Sequence, residues 1–217
     1  MTVTVEERSN LIELMVGMFN ASPGAQHLAE LTSAYEATGG NIAQVASILS
    51  ATAPFQALSP SSQSAVEFAS FFLTPLGLQN DSVATDFVIS QFNAGVNKGQ
   101  IIYETLAALE QTTAAGYRDA QALLHNKVAV AYYHSVTQAQ SDVNIAALQH
   151  VLAPVTKDAP SVLAAEAALP STTITVEERS NLIELMVGMF NASPGAQHLA
   201  ELTSAYEATG GNIAQVA

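Results

Sequence analysis

A chain of 217 residues, 49% of them hydrophobic, has enough apolar material for one or two packed domains, although alanine supplies much of it. Six Lys and Arg against nineteen Asp and Glu leave a formal net charge of −13, a field that repels nucleic acid and anionic membrane. The absence of cysteine excludes disulfides, thiolate metal sites and a cysteine nucleophile, and leaves the redox compartment unspecified.

The opening MTVTVEERSN has no basic stretch and no apolar core of signal-peptide length. No apolar run approaches the roughly 20 residues of a spanning helix, so membrane insertion is not expected. Thr4 reads as the N-cap of a first helix, with Glu7 completing a capping box and Glu6 beside it at the positive end of the dipole. Leu11, Ile12, Met15, Met18 and Phe19 recur at three- and four-residue spacing, and Leu14 and Val16 widen the stripe. Asn20-Ala21-Ser22-Pro23-Gly24 ends that helix and predicts the next, with Ser22 as its cap and Pro23 at the first helical position. The second helix carries Leu28, Leu31 and Tyr35 and stops at Gly39-Gly40. Asn41 with Gln44 then starts a third, running through Ile48 and Leu49.

Thr52 to Leu58 reads as a short helical step, and Ser59-Pro60 restarts the chain into an aromatic-rich helix with Val66, Phe68, Phe71, Phe72 and Leu73. Thr74-Pro75-Leu76-Gly77 breaks it. Asn80 or Asp81 caps a helix with Val83, Phe87, Val88 and Phe92 that closes at Asn93-Ala94-Gly95. An amphipathic helix follows from Gln100, then a long one from Tyr117 to Val136, then Asp142 to Leu152, a loop from Pro154 to Pro160, and Ser161 to Leu169. No segment alternates like a strand, so the expected fold is all-α: a compact multi-helix domain.

The stretch from Thr4 to Ala46 returns letter for letter as Thr175 to Ala217. The expected organisation is a helical module over 1–170, a short linker over 171–174, and a repeat over 175–217 that is either a partial second module or a docking segment.

Candidate reactive groups find local explanations. His125, His134 and His150 match no metal-ligand spacing, and His27 and His198 are one position copied. Glu6-Glu7, Glu30 with Glu36, and Glu104 with Glu110 fall where caps and solvated faces account for them, and no two acids stand out for glycoside chemistry. No G-x-S-x-G elbow accompanies the serines, and Gly95-Val96-Asn97-Lys98-Gly99 lacks the order of a phosphate loop. Met15 and Met18 read as core. Tyr132-Tyr133 could offer a platform for a sugar or lipopolysaccharide, although one of two adjacent helical aromatics usually faces the core.

APFQAL, FNAGVNKGQIIYETLAALE, NKVAVAYYHSVTQAQ and IAALQHVLAPVT resemble the all-helical N-terminal domain, of unknown function, of type I-secreted bacterial surface-layer and RTX-type surface proteins. The resemblance covers about Asn10 to Ala168. It implies an extracellular bacterial protein that coats the cell surface or builds a matrix, without enzyme activity. Calcium enters as a cofactor through the resemblance alone, since the chain carries no glycine- and aspartate-rich calcium repeats and no C-terminal export region.

The duplication sharpens that expectation. If Thr4 to Ala46 packs into the module, roughly five or six large apolar side chains leave water at about 1.5–3 kcal/mol each. The gross gain, on the order of 10 kcal/mol, rivals the net stability of a whole domain. The identical tail presents Leu182, Ile183, Leu185, Met186, Met189, Phe190, Leu199, Leu202 and Tyr206 and finds its place already filled. It must stay loose, displace the first copy, or enter another chain, and the third outcome makes head-to-tail contacts that propagate or close into a ring. The plainer alternative is one module followed by the start of a tandem neighbour. The sequence therefore points to a self-associating structural protein whose partners are other copies of itself. A rival reading is a module that binds surface polysaccharide.

Overall fold

The computed structural model describes residues 3–169 together with 184 and 185. The chain divides into two units, Met1–Leu169 and Pro170–Ala217. Among the described residues there are ten α-helices and no strand, in keeping with the all-α expectation. None of these helices is long and apolar enough to cross a membrane.

Helix α1 (Val5–Phe19) begins as its sequence dictates. The Thr4 hydroxyl accepts from the Glu7 amide, and the Glu7 carboxylate accepts from the Thr4 amide at 2.8 Å. It ends at Asn20, whose φ of 49° is left-handed, a conformation asparagine tolerates better than most side chains. Leu11, Ile12, Leu14, Met15, Val16, Met18 and Phe19 are all buried, because α1 has neighbours on several sides: α2 (Gly24–Ala37), α4 (Ala53–Leu58), α7 (Lys98–Gln111) and α8 (Arg118–Tyr132). The remaining helices buttress this centre. α3 (Ile42–Ser50) lies on α7, α5 (Ala65–Leu73) on α6 (Ser82–Asn93), and both α9 (Ile145–Leu152) and α10 (Pro160–Ala168) on α8.

One of these contacts is made without side chains. A Cβ at Gly99, in the first turn of α7, would run into the carbonyl of Ala46 on α3, so only glycine lets the two backbones meet. Phe55 joins α4 to the centre through edge-on contacts with Phe19 and Phe71, at centroid distances of 5.7 and 6.3 Å.

Several local expectations are corrected. Ser22 does not cap α2; Pro23 occupies that position without a side-chain hydrogen bond, and Ser22 is wholly buried and bonded elsewhere. The helix expected after Ser59-Pro60 starts at Ala65, where Ser64 and Glu67 form a complete capping box. Its predecessor, the Ser59 hydroxyl, is instead held by the Lys98 ammonium at 3.0 Å. Asn97 and not Gln100 opens α7, and Asn144 and not Asp142 opens α9, each side chain accepting backbone amides. The long helix predicted from Tyr117 to Val136 is α8 followed by a π-helical turn over Tyr133–Thr137, and Tyr117 closes a short 3₁₀ turn before it. The expected step at Thr52, the break at Thr74 to Gly77 and the Asp81 cap are all present.

Candidate functional site

The module carries two distinct features: the seat that holds residues 4–46, and an open groove flanked by Tyr132 and Tyr133.

The apolar part of the seat is the burial of α1 already given, extended by Leu28, Leu31 and Tyr35 from α2 and by Val45 and Ala46 from α3. Its polar part is concentrated where α1 turns into α2. The Lys127 ammonium, buried at 6% exposure, donates to Asn20 Oδ1 and to the Pro75 carbonyl, both at 2.7 Å. Burial pushes its pKa down to about 8. The Ser22 hydroxyl lies 2.9 Å from His134 Nδ1, 2.9 Å from the Ser135 hydroxyl and 3.4 Å from the Ala131 carbonyl. His134 is itself buried, and that burial lowers its pKa and favours the neutral imidazole, with Asp142 opposing the shift. Gln149 Nε2 donates to the Phe19 carbonyl at 2.8 Å. Two backbone bonds complete the set: the Ser22 amide to the Leu148 carbonyl at 3.1 Å, and the Ala25 amide to the Gln140 carbonyl at 2.7 Å.

These bonds pair polar groups that the turn would otherwise leave buried and unsatisfied, which is the costly failure in a dry interior. They also require particular residues from the seated segment: an amide oxygen at 20, a hydroxyl at 22, and a glycine at 24, where φ is 65° and a Cβ would press on the Asp142 carbonyl. The segment has internal fastenings as well, since the Tyr35 hydroxyl donates to Glu7 at 2.9 Å and ties α2 to the cap of α1.

The second place is a groove of about 550 Å³ between α1, α7, α8 and α10, lined among others by Glu13, Glu110, His125, Tyr132, Tyr133 and Glu166. Both tyrosines border it, and both are half-buried, so neither is given wholly to the core. His125 Nε2 lies 2.8 Å from both carboxylate oxygens of Glu110. Glu13 is raised to about 7, first by burial and then by the negative charge of Glu110, with His125 opposing the shift. A carboxyl group so placed changes charge near neutral pH.

The other sequence candidates disperse. His150 is exposed in the last turn of α9, and His27 Nδ1 lies 3.1 Å from the Pro23 carbonyl. No group of three or more His, Asp or Glu among the described residues is placed to hold a metal ion. In the Gly95 to Gly99 loop, Lys98 reaches the carbonyls of Ser59 and Pro60 and sits over the Phe68 and Phe92 rings, at 5.2 and 5.7 Å, so its charge is spent on the fold. Of the tail residues proposed for self-association, Leu182, Ile183, Met186, Met189, Phe190, Leu199, Leu202 and Tyr206 lie outside the described residues. Leu185 has helical backbone and is half-buried.

Sequence reasoning placed the apolar side of the seat but not its latch: Lys127, His134, Ser135 and Gln149 carry no local signal. Compared with protein-family models, curated proteins and solved structures, the chain matches none.

Proposed function

We propose that this is a non-enzymatic structural protein of the bacterial exterior that associates with copies of itself, residues 175–217 of one chain filling in another the seat that residues 4–46 fill here. The observation that carries the reading is the seat: seven buried apolar side chains of α1 and a latch specific for Asn20 and Ser22, with the same residues present again from Thr175 onward. A heterologous contact of this kind links chains in series. The surface-layer and matrix setting, and export from the cell, rest on the resemblance to type I-secreted surface proteins. Light-scattering mass across a dilution series is the direct test. Mass that grows with concentration, and that falls to one chain after Leu185→Asp, supports association through the tail; a single-chain mass at every concentration removes it. Repeating the series with a calcium chelator reads the cofactor that the resemblance implies.

The groove favours a second reading, in which the module holds surface polysaccharide. Two adjacent tyrosine rings beside three carboxylates and a histidine offer stacking faces and hydrogen-bond acceptors to a sugar. Binding of a glycan by the single-chain form, lost on Tyr132→Ala with Tyr133→Ala, would favour it over assembly.

A further inference from the structure

We infer that residues 175–217 also fit the seat of their own module, so that the chain has a second, circularly permuted arrangement in which residues 4–46 are the displaced copy. The inference rests on the same reading of the seat as a receptor for the duplicate.

Contact chemistry does not distinguish the two arrangements. Every group that the seat engages has its counterpart in the tail: Asn191 for Lys127, Ser193 for His134 and Ser135, Gly195 for the turn, and Leu182 to Phe190 for the apolar face. At the seat itself, a copy from the same chain and a copy from another chain make the same contacts. Association between chains then carries its own entropic cost, whereas a tethered copy acts at an effective concentration in the millimolar range. The tail's own module is therefore the favoured destination at dilution.

The module's geometry brings that destination within reach. Glu166, in the last turn of α10, lines the same groove as Ser9 and Glu13 of α1. Thr4 lies only about 7 Å along the helix axis from Ser9 at 1.5 Å per residue. Residues 170–174, which join Leu169 to the start of the second copy, extend to roughly 17 Å at 3.3–3.6 Å per residue. A joint of that length starts from the helix, α10, that shares this groove with α1. The repeat includes Val45 and Ala46, the two buried apolar residues of α3.

Disulfide trapping tests this in the full chain, which has no cysteine of its own. The Ser22 and Ser135 hydroxyls are 2.9 Å apart, so Ser22→Cys with Ser135→Cys is the control that reports the N-terminal copy in place. Ser193→Cys with Ser135→Cys reports the tail. Under dilute oxidising conditions the second pair is expected to close within one chain, with loss of both free thiols and no increase in mass. A link that forms only between chains overturns the own-seat arrangement and leaves head-to-tail association standing. No link, with the control closing, overturns both.

A second measurement avoids altering the Ser22 network. Leu14→Asp disables the first copy alone and is expected to leave a cooperatively folding single chain, whereas Leu14→Asp with Leu185→Asp loses the transition. If Leu14→Asp by itself unfolds as completely as the double variant, or folds only as an oligomer, the inference is wrong.

Discussion

The two sides of α1 obey different physics. One side, from Leu11 to Phe19, is dry, closely packed and fastened at its end by Lys127, His134 and Gln149; the other carries Ser9 and Glu13 into an open groove with Glu110, His125 and Glu166. The dry side supplies most of the stabilisation and discriminates by shape and by unpaired polar groups. The wet side contributes little binding energy but places an ionisable group where its charge is penalised. Affinity for the segment thus comes from one face, while the carboxyl group whose proton burial retains lies on the other.

Substitutions made identically in both copies, so that neither can cover for the other, separate these contributions. Leu14→Ala with Leu185→Ala attacks the dry side and is expected to cost about 2–5 kcal/mol by chemical denaturation, the range for a fully buried leucine. Should the cost be below about 1 kcal/mol, the seat is looser than a core and the contrast between the faces fails.

Glu13→Gln with Glu184→Gln probes the wet side. Because the folded state holds the Glu13 proton up to about pH 7 while an unfolded carboxyl releases it near 4.5, the fold is favoured by this group at low pH. That contribution declines as pH rises through the interval and is absent above it. The glutamine pair should remove a dependence worth about 3 kcal/mol, seen as the difference between the two stability curves from pH 4.5 to 8. His134 acts in the opposite direction, losing stability as pH falls below 6.5, and is common to both proteins, so it cancels in the difference. Parallel curves would mean that Glu13 is solvated.

Ser22→Ala with Ser193→Ala leaves the His134 and Ser135 side chains without their partner and is expected to cost about 1–3 kcal/mol. The smallest effect belongs to the exposed cap: Thr4→Ala with Thr175→Ala should cost about 0.5–2 kcal/mol, measured by thermal unfolding. If the cap outweighs Ser22, the buried latch is not the discriminating feature.

What could be read from the sequence followed the range of the interaction. Thr4 with Glu7, Asn41 and Asp81 act within three residues and were legible as caps. The apolar stripe of α1 was legible through its period. Ser-Pro-Gly has the local form of a helix start, which hides the role of Ser22, whose partners His134 and Ser135 lie more than a hundred positions away. Ser59-Pro60 gives a stronger local signal than Ser64, although Ser59 is claimed by Lys98 across the fold. Lys127 gave no sign of its role, since a lysine in a helical pattern is ordinarily solvated. Nor does anything in Tyr133 to Thr137 announce a π-turn. The groove was half visible: the tyrosine pair was singled out, but the carboxylates around it come from α1, α7 and α10 and meet only in three dimensions.

Gly99 turns α7 into a gauge. Because backbone meets backbone there, no flexible side chain can absorb an error of register, and a segment entering one residue too high or too low would hold its carbonyl away from the contact. A three-helix segment with the right greasy stripe but the wrong length between its cap and residue 46 is thereby turned away. Between segments with the same apolar stripe, the choice falls to a measured distance along the chain.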